Sequence, residues 1–282
     1  MDTNTNVSKL IERVLASKCE VIKLGVDVHA RTVVVSVQLD GALPQRAQKM
    51  LASQLVGIAR GLVKAGRQVY VCQEAGPCGY GLHRQLATVG ATSYVIAPEP
   101  LQDGRKQKTD ALDAAALADR LDRYVRGNTK AFSVITVPTP EQEQARAQAR
   151  LRDQLKHSRH QWGARGRSLL LTHRHHVRGA WWSERRWREL QPSLPAWLAH
   201  ELAVMRQILL MLETEEQTRR QSLEAAAPKD LPKAIGALTW VMLLREIGDW
   251  HRFHNRREVA SYTGLCPGHY SLNAIVRVPP GQ

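Results

Sequence analysis

The sequence predicts a mixed α/β domain, followed by a long helical hairpin and a small, mostly helical C-terminal section. Three observations lead to this fold class. Between residues 21 and 126, short runs rich in β-branched residues alternate with amphipathic segments. From about residue 137 the chain becomes charged and has helical spacing only. After Pro228 the apolar runs are short and are interrupted by Gly236 and Gly248.

The α/β part begins with a predicted β-hairpin. The strand-like runs VIKLGVDV and RTVVVSVQL are separated only by His29 and Ala30, and a third short strand is predicted after Gly41. His29 and Arg31 are expected to begin the return strand without a catalytic role. Asp27 is unusual here, because it is a carboxylate within an otherwise apolar strand.

Helices and strands alternate after this hairpin. ASQLVGIARGLVKAG and LHRQLATVG have helical spacing, and TDALDAAALADRLDRY predicts an amphipathic helix. QVYVCQE and TSYVIAP predict strands, and the first of these ends at Glu74, before a turn rich in glycine and proline. Residues 8–18 predict a short helix in front of the first strand.

The remaining chain predicts two long helices joined by a loop rich in tryptophan and arginine, then two or three short helices. The predicted domains are an N-terminal extension (1–20), the α/β domain (21–136), the helical hairpin or coiled coil (137–227) and the C-terminal domain (228–282).

The net charge indicates a polyanionic partner. Forty Lys and Arg residues stand against 26 Asp and Glu residues, which gives a formal charge of +14. Clustered cations attract phosphates, and an anionic membrane surface is the competing interpretation. The sequence has no apolar run of about 18 residues and no signal-peptide pattern, so we expect no membrane span. Four cysteines without metal-ligand spacing are typical of free thiols in a reducing cytoplasm.

Four acidic residues form a candidate metal site. Asp27 and Glu74 lie in or at the end of predicted strands, and Asp110 and Asp113 share one face of a predicted helix. Clustered carboxylates repel one another unless a cation neutralises them, and Mg²⁺ or Mn²⁺ prefer such oxygen ligands. The alternative is that each acid is an ordinary strand-end, helix N-terminal or solvated residue.

The segment 145–188 is a candidate nucleic-acid interface, with twelve Lys or Arg residues against two acids. Cations fix phosphates, and aromatic or guanidinium planes stack on unpaired bases. The alternative is a solvated helix face, with Trp162, Trp181, Trp182 and Trp187 anchoring the hairpin tip in a core. The candidate nucleic-acid-binding residues are Arg165, Arg167, Arg174, Arg178, Arg185 and Arg186.

Several motifs together resemble the DEDD transposases of bacterial insertion sequences, a family that includes the Piv-type DNA invertases. These motifs are GVDVH, QEAGPCGYGLHRQL, KTDALDAAALADRL and IGALTWVMLLREIGDWHRFHNRREVASYTGLCP. The resemblance implies an RNase H-like (RuvC-like) N-terminal domain whose metal-binding acids fall on the four residues above. It also implies a coiled-coil middle used in dimerisation, a C-terminal domain with a serine nucleophile, DNA as substrate and, in some members, a structured guide RNA.

The C-terminus departs from the family pattern. The family places a Ser-Gly pair soon after GLCP, whereas this chain has Leu272 and Asn273 there, with Ser271 one position earlier. Ser271 is therefore the candidate nucleophile, with Ser261 as the other nearby serine that could serve, and we expect a C-terminally truncated chain.

The predicted function is DNA strand cleavage and exchange by an insertion-sequence transposase or site-specific recombinase, acting as a homodimer or higher oligomer. The alternative is an inactive, truncated transposase that still binds nucleic acid. A sugar kinase or actin-like ATPase also begins with a similar hairpin, but its second phosphate loop is not evident in this sequence.

Overall fold

The computed structural model describes residues 12, 14, 16–98 and 109–262. The chain divides into two compact units, Met1–Val137 and Pro138–Gln282. Within the described part of the chain, none of the helices combines the length and the apolar character that a membrane crossing requires.

The first unit is built on a five-stranded mixed sheet with the strand order β3-β2-β1-β4-β5. The strands β1 and β2 form the predicted hairpin, and β3 adds to it in an antiparallel manner. The strands β4 and β5 extend the other side of β1 in a parallel manner. The bounds are β1 Val21–Val28, β2 Thr32–Leu39, β3 Gln48–Leu51, β4 Gln68–Glu74 and β5 Thr92–Ile96.

Three helices of this unit cover the two faces of the sheet: α1 (Ala52–Lys64), α2 (Gly81–Thr88) and α3 (Asp110–Val125). Because side chains alternate along a strand, Ile22, Leu24 and Val26 of β1 share one face. They pack in one core with the apolar residues of α1 and α2. The opposite face of the sheet carries α3, and its core contains Cys72, Ile96, Leu117, Leu121 and Phe132.

The described residues of the second unit form helices and connecting loops, without a strand. The long helices α4 (Pro140–Thr172) and α6 (Ala196–Ala225) pack along each other, with the short α5 (Glu184–Leu190) between them in sequence. Leu170 packs with Leu198 and Leu202 near one end, and Arg152 pairs with Glu216 farther along, so the two helices are antiparallel. The hairpin predicted for this segment is present in the structure. The helices α7 (Ala237–Ile247) and α8 (Arg256–Tyr262) follow.

Two tryptophans pack into a notch of small residues at the tip of this hairpin. A Cβ atom added to Gly166 would lie 2.2 Å from the Trp181 ring, and one added to Gly163 would lie 2.8 Å from the Trp182 ring. The indole of Trp181 donates a hydrogen bond to the backbone oxygen of Gly163 at 3.1 Å. Trp181, Trp182 and Trp187 are all buried, so they form the core of the tip.

Candidate metal centre

One face of β1 presents a row of chemically different residues to α3. Lys23, Gly25 and Asp27 are at alternate positions of β1, opposite to the apolar face, and His29 continues this alternation just after the strand. The helix α3 runs antiparallel to β1 along this row, because Asp122 contacts Lys23, Ala118 and Ala114 contact Gly25, and Asp110 contacts His29.

The middle of this row is a close backbone contact. A Cβ atom on Gly25 would lie 2.2 Å from the backbone oxygen of Ala114 and 2.3 Å from the backbone nitrogen of Ala118. Only glycine has room at this position, and Ala114 and Ala118 are themselves small and fully buried. The contact therefore holds the α3 backbone directly against β1.

A buried ion pair holds the far end of the row. Lys23 Nζ lies 2.6 Å from Asp122 Oδ1 and also donates to the backbone oxygen of Asp40. Arg126, which caps the C-terminal end of α3, pairs with the same carboxylate at 3.1 Å. Because the Lys23 and Asp122 side chains are both buried, this pair fixes the position of α3 along the strand.

Two predicted acids meet around an imidazole at the near end of the row. His29 Nε2 lies 3.1 Å from Asp110 Oδ2 and 3.4 Å from Asp27 Oδ2. Asp27, His29 and Asp110 are the ligand group: each offers a ligand atom within 4.8 Å of those of the other two. Their side chains remain 29%, 40% and 56% exposed, respectively, so a hydrated cation can reach them. This Asp-His-Asp group has the donor types of a divalent-metal site.

The other two predicted acids lie on the same face but outside this group. Val26 pairs with Gln73 in the parallel register of β1 and β4, so Asp27 and Glu74 are the next residues along the two strands. Asp113 lies one helical turn before Leu117, which packs against Cys72 of β4. Within the described residues, Glu74 and Asp113 are not part of the mutually close group.

The start of α3 positions its two acids. Thr109 is the N-cap, and its hydroxyl accepts a hydrogen bond from the backbone nitrogen of Leu112 at 3.4 Å. Asp110 and Asp113 therefore lie in the first turn, where the partial positive charge of the helix N-terminus favours carboxylates. Asp110 is not itself the cap, so its carboxylate is available to face β1.

His29 is the residue of this site that the sequence analysis missed. Its ring lies against two of the four predicted acids, and it precedes β2, which begins at Thr32. The available signal was the two-residue spacing of GVDVH, because residues 27 and 29 share a face if the strand alternation continues.

Cys72 adds no metal ligand to this site. It is fully buried beside Glu74 and β1, and burial raises the pKa of its thiol to about 12. Among the described residues, Cys72 is also not part of the mutually close ligand group.

The candidate nucleic-acid-binding residues lie at or near the hairpin tip of the second unit. Arg165, Arg174, Arg178 and Arg185 are exposed, and Arg167 and Arg186 are partly buried. Arg178, Arg185 and Arg186 line a depression of about 370 Å³ together with His176 and Glu189. Trp181, Trp182 and Trp187 are buried, as the alternative interpretation expects, so they do not stack on bases, whereas Trp162 is 36% exposed.

Ser271, the predicted nucleophile, lies outside the described residues, as does the C-terminal departure from the family pattern.

Several curated proteins that are similar to this chain in sequence are named as transposases. Residues 232–272 match the family model "Transposase IS116/IS110/IS902 family". "Putative transposase y4rJ" of Sinorhizobium fredii is 30% identical over 233 residues, which cover 73% of this chain and 59% of that protein. "Transposase for insertion sequence element IS1533" of Leptospira borgpetersenii is 29% identical over 140 residues, or 48% of this chain and 39% of that protein.

These sequence similarities support the interpretation of the chain as an insertion-sequence transposase. The chain spans little more than half the length of y4rJ. Among solved structures, the catalytic core domain of BIV integrase is similar over 40% of this chain and 73% of that chain. With 15% identity and a TM-score of 0.20, this structural likeness is too low to support an argument about the fold.

The described part of the matched transposase segment is anchored to the hairpin by arginines. Arg150 donates two hydrogen bonds of 2.8 Å to the Glu246 carboxylate, and Arg146 donates to the backbone oxygen of Glu246 at 3.0 Å. In return, Arg245 donates to the backbone oxygen of Ala145 at 3.2 Å. The hydrogen bond from Arg150 lowers the pKa of Glu246, which stays ionised at neutral pH. The matched segment is therefore packed against α4, and α7 makes these contacts.

Proposed function

We propose that this protein is a DEDD-type transposase or site-specific recombinase of an insertion sequence, which cleaves and exchanges DNA strands with the help of divalent metal ions. The observation that carries the proposal is the meeting of Asp27 and Asp110 at the C-terminal end of β1, the central strand of the sheet. The strand register of Glu74 and the helical spacing of Asp113 support their inclusion in the same centre. We propose that all four acids hold Mg²⁺ or Mn²⁺, within an RNase H-like domain.

The chemistry follows from the ligand types. Bound ions of this class activate an attacking oxygen and stabilise a leaving oxygen in phosphoryl transfer. The proposed attacking group is the Ser271 hydroxyl, which forms a bond to phosphorus while the bond from phosphorus to the sugar oxygen breaks. The hydroxyl proton leaves the serine, and the released sugar oxygen takes up a proton.

The hairpin tip is the proposed contact surface for DNA and for a structured guide RNA. Its exposed arginines suit phosphate contacts, which position a nucleic acid without reading its sequence. Removing Arg174, Arg178 and Arg185 together is expected to reduce the slope of log affinity against log salt by about 1 per residue. Arg220, which pairs with Glu224 on the same unit, is the matched control. An unchanged slope in the triple variant would contradict the tip as the interface.

The outer face of α6 supports the proposed homodimer. Trp197, Val204 and Met211 are spaced by seven residues and are 54%, 49% and 60% exposed. A row of exposed apolar residues at a seven-residue spacing supplies one of the two apolar positions of a coiled-coil seam. Val204→Glu is expected to shift the sedimentation coefficient towards that of the monomer, and an unaltered dimer would exclude this seam.

The deciding experiment is metal-dependent cleavage of supercoiled plasmid DNA that carries the ends of the element. Asp27→Ala should lower cleavage by at least about 100-fold, because it removes one of the proposed metal ligands. Asp119→Asn is the matched control, since Asp119 lies on α3 but pairs with Arg123 at 3.3 Å.

Equal cleavage by the Asp27→Ala variant and the parent would contradict the metal-centre proposal. DNA binding by the parent without any cleavage would favour the alternative of an inactive transposase. Ser271→Ala is expected to abolish strand exchange, and full exchange by this variant would exclude Ser271 as the nucleophile.

A further inference from the structure

We propose that His29 is a direct metal ligand and that it gives the centre a preference for Mn²⁺ over Mg²⁺. This inference rests on the metal centre proposed above, and it adds a ligand and a metal preference to it. The supporting observations are the position of the imidazole, its distances to two carboxylates and its chemistry.

The position of His29 is set by the backbone on both sides. The residue follows β1 directly, and its backbone nitrogen donates to the backbone oxygen of Thr32 at 2.9 Å, which closes the tight turn into β2. Its ring thus extends from the end of a paired strand rather than from a long loop. A ligand on such a rigid element is held close to its binding geometry before the metal arrives.

The distances fit one coordination shell. Neighbouring ligands around a six-coordinate ion with bonds of about 2.1 Å lie about 3 Å apart. His29 Nε2 lies 3.1 Å and 3.4 Å from oxygens of Asp110 and Asp27. One ion can therefore contact all three side chains after small adjustments, while their partial exposure leaves room for water on its remaining positions.

The donor set determines the preference. Mg²⁺ demands oxygen ligands and keeps several waters, whereas an imidazole nitrogen suits transition metals better. Mn²⁺ accepts carboxylate and water as Mg²⁺ does, but it lies on the transition-metal affinity series. An Asp-His-Asp group is thus better matched to Mn²⁺ than a group of acids alone.

A competing role for His29 is to act as a placeholder. In that role the imidazole donates a hydrogen bond to Asp110 or Asp27 and occupies the space that a metal ion would need. The two roles predict opposite effects of removing the ring, because loss of a ligand weakens metal binding and loss of a placeholder strengthens it.

The test is a titration of the full-length chain with Mn²⁺ and separately with Mg²⁺, followed by calorimetry. His29→Ala is expected to weaken Mn²⁺ binding at least about tenfold and Mg²⁺ binding less than about threefold. His29→Asp makes all three side-chain donors oxygen atoms, so this variant should prefer Mg²⁺ over Mn²⁺. Arg31→Ala is the matched control, since it removes an exposed cation from the same turn and should leave both affinities unchanged.

A second measurement reports the bond itself. Pulsed electron paramagnetic resonance of the Mn²⁺-bound protein should show the hyperfine coupling of a directly bound imidazole nitrogen, and this coupling should vanish in His29→Ala. Unchanged or tighter Mn²⁺ binding by His29→Ala, or no nitrogen coupling in the parent, would overturn the role of His29 and leave the carboxylate centre intact. Wild-type Mn²⁺ affinity in Asp27→Asn would instead overturn the centre itself.

Discussion

Replacing Gly25 with alanine tests the contact that joins the two halves of the candidate metal centre. The new Cβ atom would lie 2.2 Å from the backbone oxygen of Ala114 and 2.3 Å from the backbone nitrogen of Ala118. Ordinary contacts between such atoms are about 3.5 Å, so α3 must move away from β1 by roughly 1 Å. Both obstacles are backbone atoms, so no side-chain rotation can relieve them.

Two consequences of this movement can be measured. Overpacking a buried contact costs about 1–3 kcal/mol, and we expect a loss of about 3 kcal/mol in the free energy of unfolding because the backbone itself must shift. Asp110 lies one turn before Ala114, so it moves away from Asp27 and His29. A misplacement of about 1 Å in a catalytic site can lower its rate about 100-fold, and we expect this effect on DNA cleavage.

Urea unfolding and the plasmid cleavage assay provide the two readings. Gly57→Ala is the matched control, because Gly57 lies on the exposed side of α1 with no atom within 4 Å of the added Cβ. Alanine is the better helix former, so this control should gain up to about 1 kcal/mol. A Gly25→Ala protein with an unfolding free energy within about 0.5 kcal/mol of the parent, and with full cleavage, would refute the reasoning.

Three further predictions concern stability. Lys23→Met leaves the buried Asp122 with Arg126 as its cationic partner, and we expect it to lower the free energy of urea unfolding by about 3 kcal/mol. An unchanged free energy would show that Arg126 alone compensates the buried charge of Asp122. Gly166→Ala forces the Trp181 ring out of its notch and should cost about 2 kcal/mol with a red-shifted tryptophan emission, and an unchanged spectrum would contradict the packing. Glu246→Gln should lower stability at neutral pH only. The Arg150 hydrogen bond lowers the pKa of Glu246 from 4.5. The ionised Glu246 carboxylate therefore stabilises the fold fully above pH 4.5, and this stabilisation is lost as the pH falls through the lowered pKa. A parent-to-variant difference that persists in acid would count against this pair.

Local patterns predicted most of the secondary structure. The β-branched alternation of residues 31–39 and the apolar run that ends in GVDV correspond to β2 and β1. The end of the β4 strand at Glu74 and the amphipathic helix from Asp110 are also as predicted. These features depend on side-chain periods within one short segment, and such periods can be read without tertiary information.

The features that depend on tertiary packing were harder to predict. Three of the tryptophans in the basic segment are buried because the chain reverses and lays Trp181 and Trp182 on Gly163 and Gly166. His29 was assigned to the return strand because its neighbour across the fold, Asp110, is 81 residues away in the sequence. Composition alone does not reveal either contact.

The buried tryptophans at the hairpin tip also bear on the entropy of binding. A loop that is disordered before it meets a ligand loses backbone freedom on binding, which offsets part of the contact energy. Here Trp181 and Trp182 hold the connecting segment from inside, so the backbone that carries Arg178 and Arg185 is already ordered. When a nucleic-acid phosphate backbone docks on this tip, the entropy loss on the protein side would come from the arginine side chains and not from the protein backbone. The affinity would therefore depend on the number of arginines rather than on the stiffness of the loop.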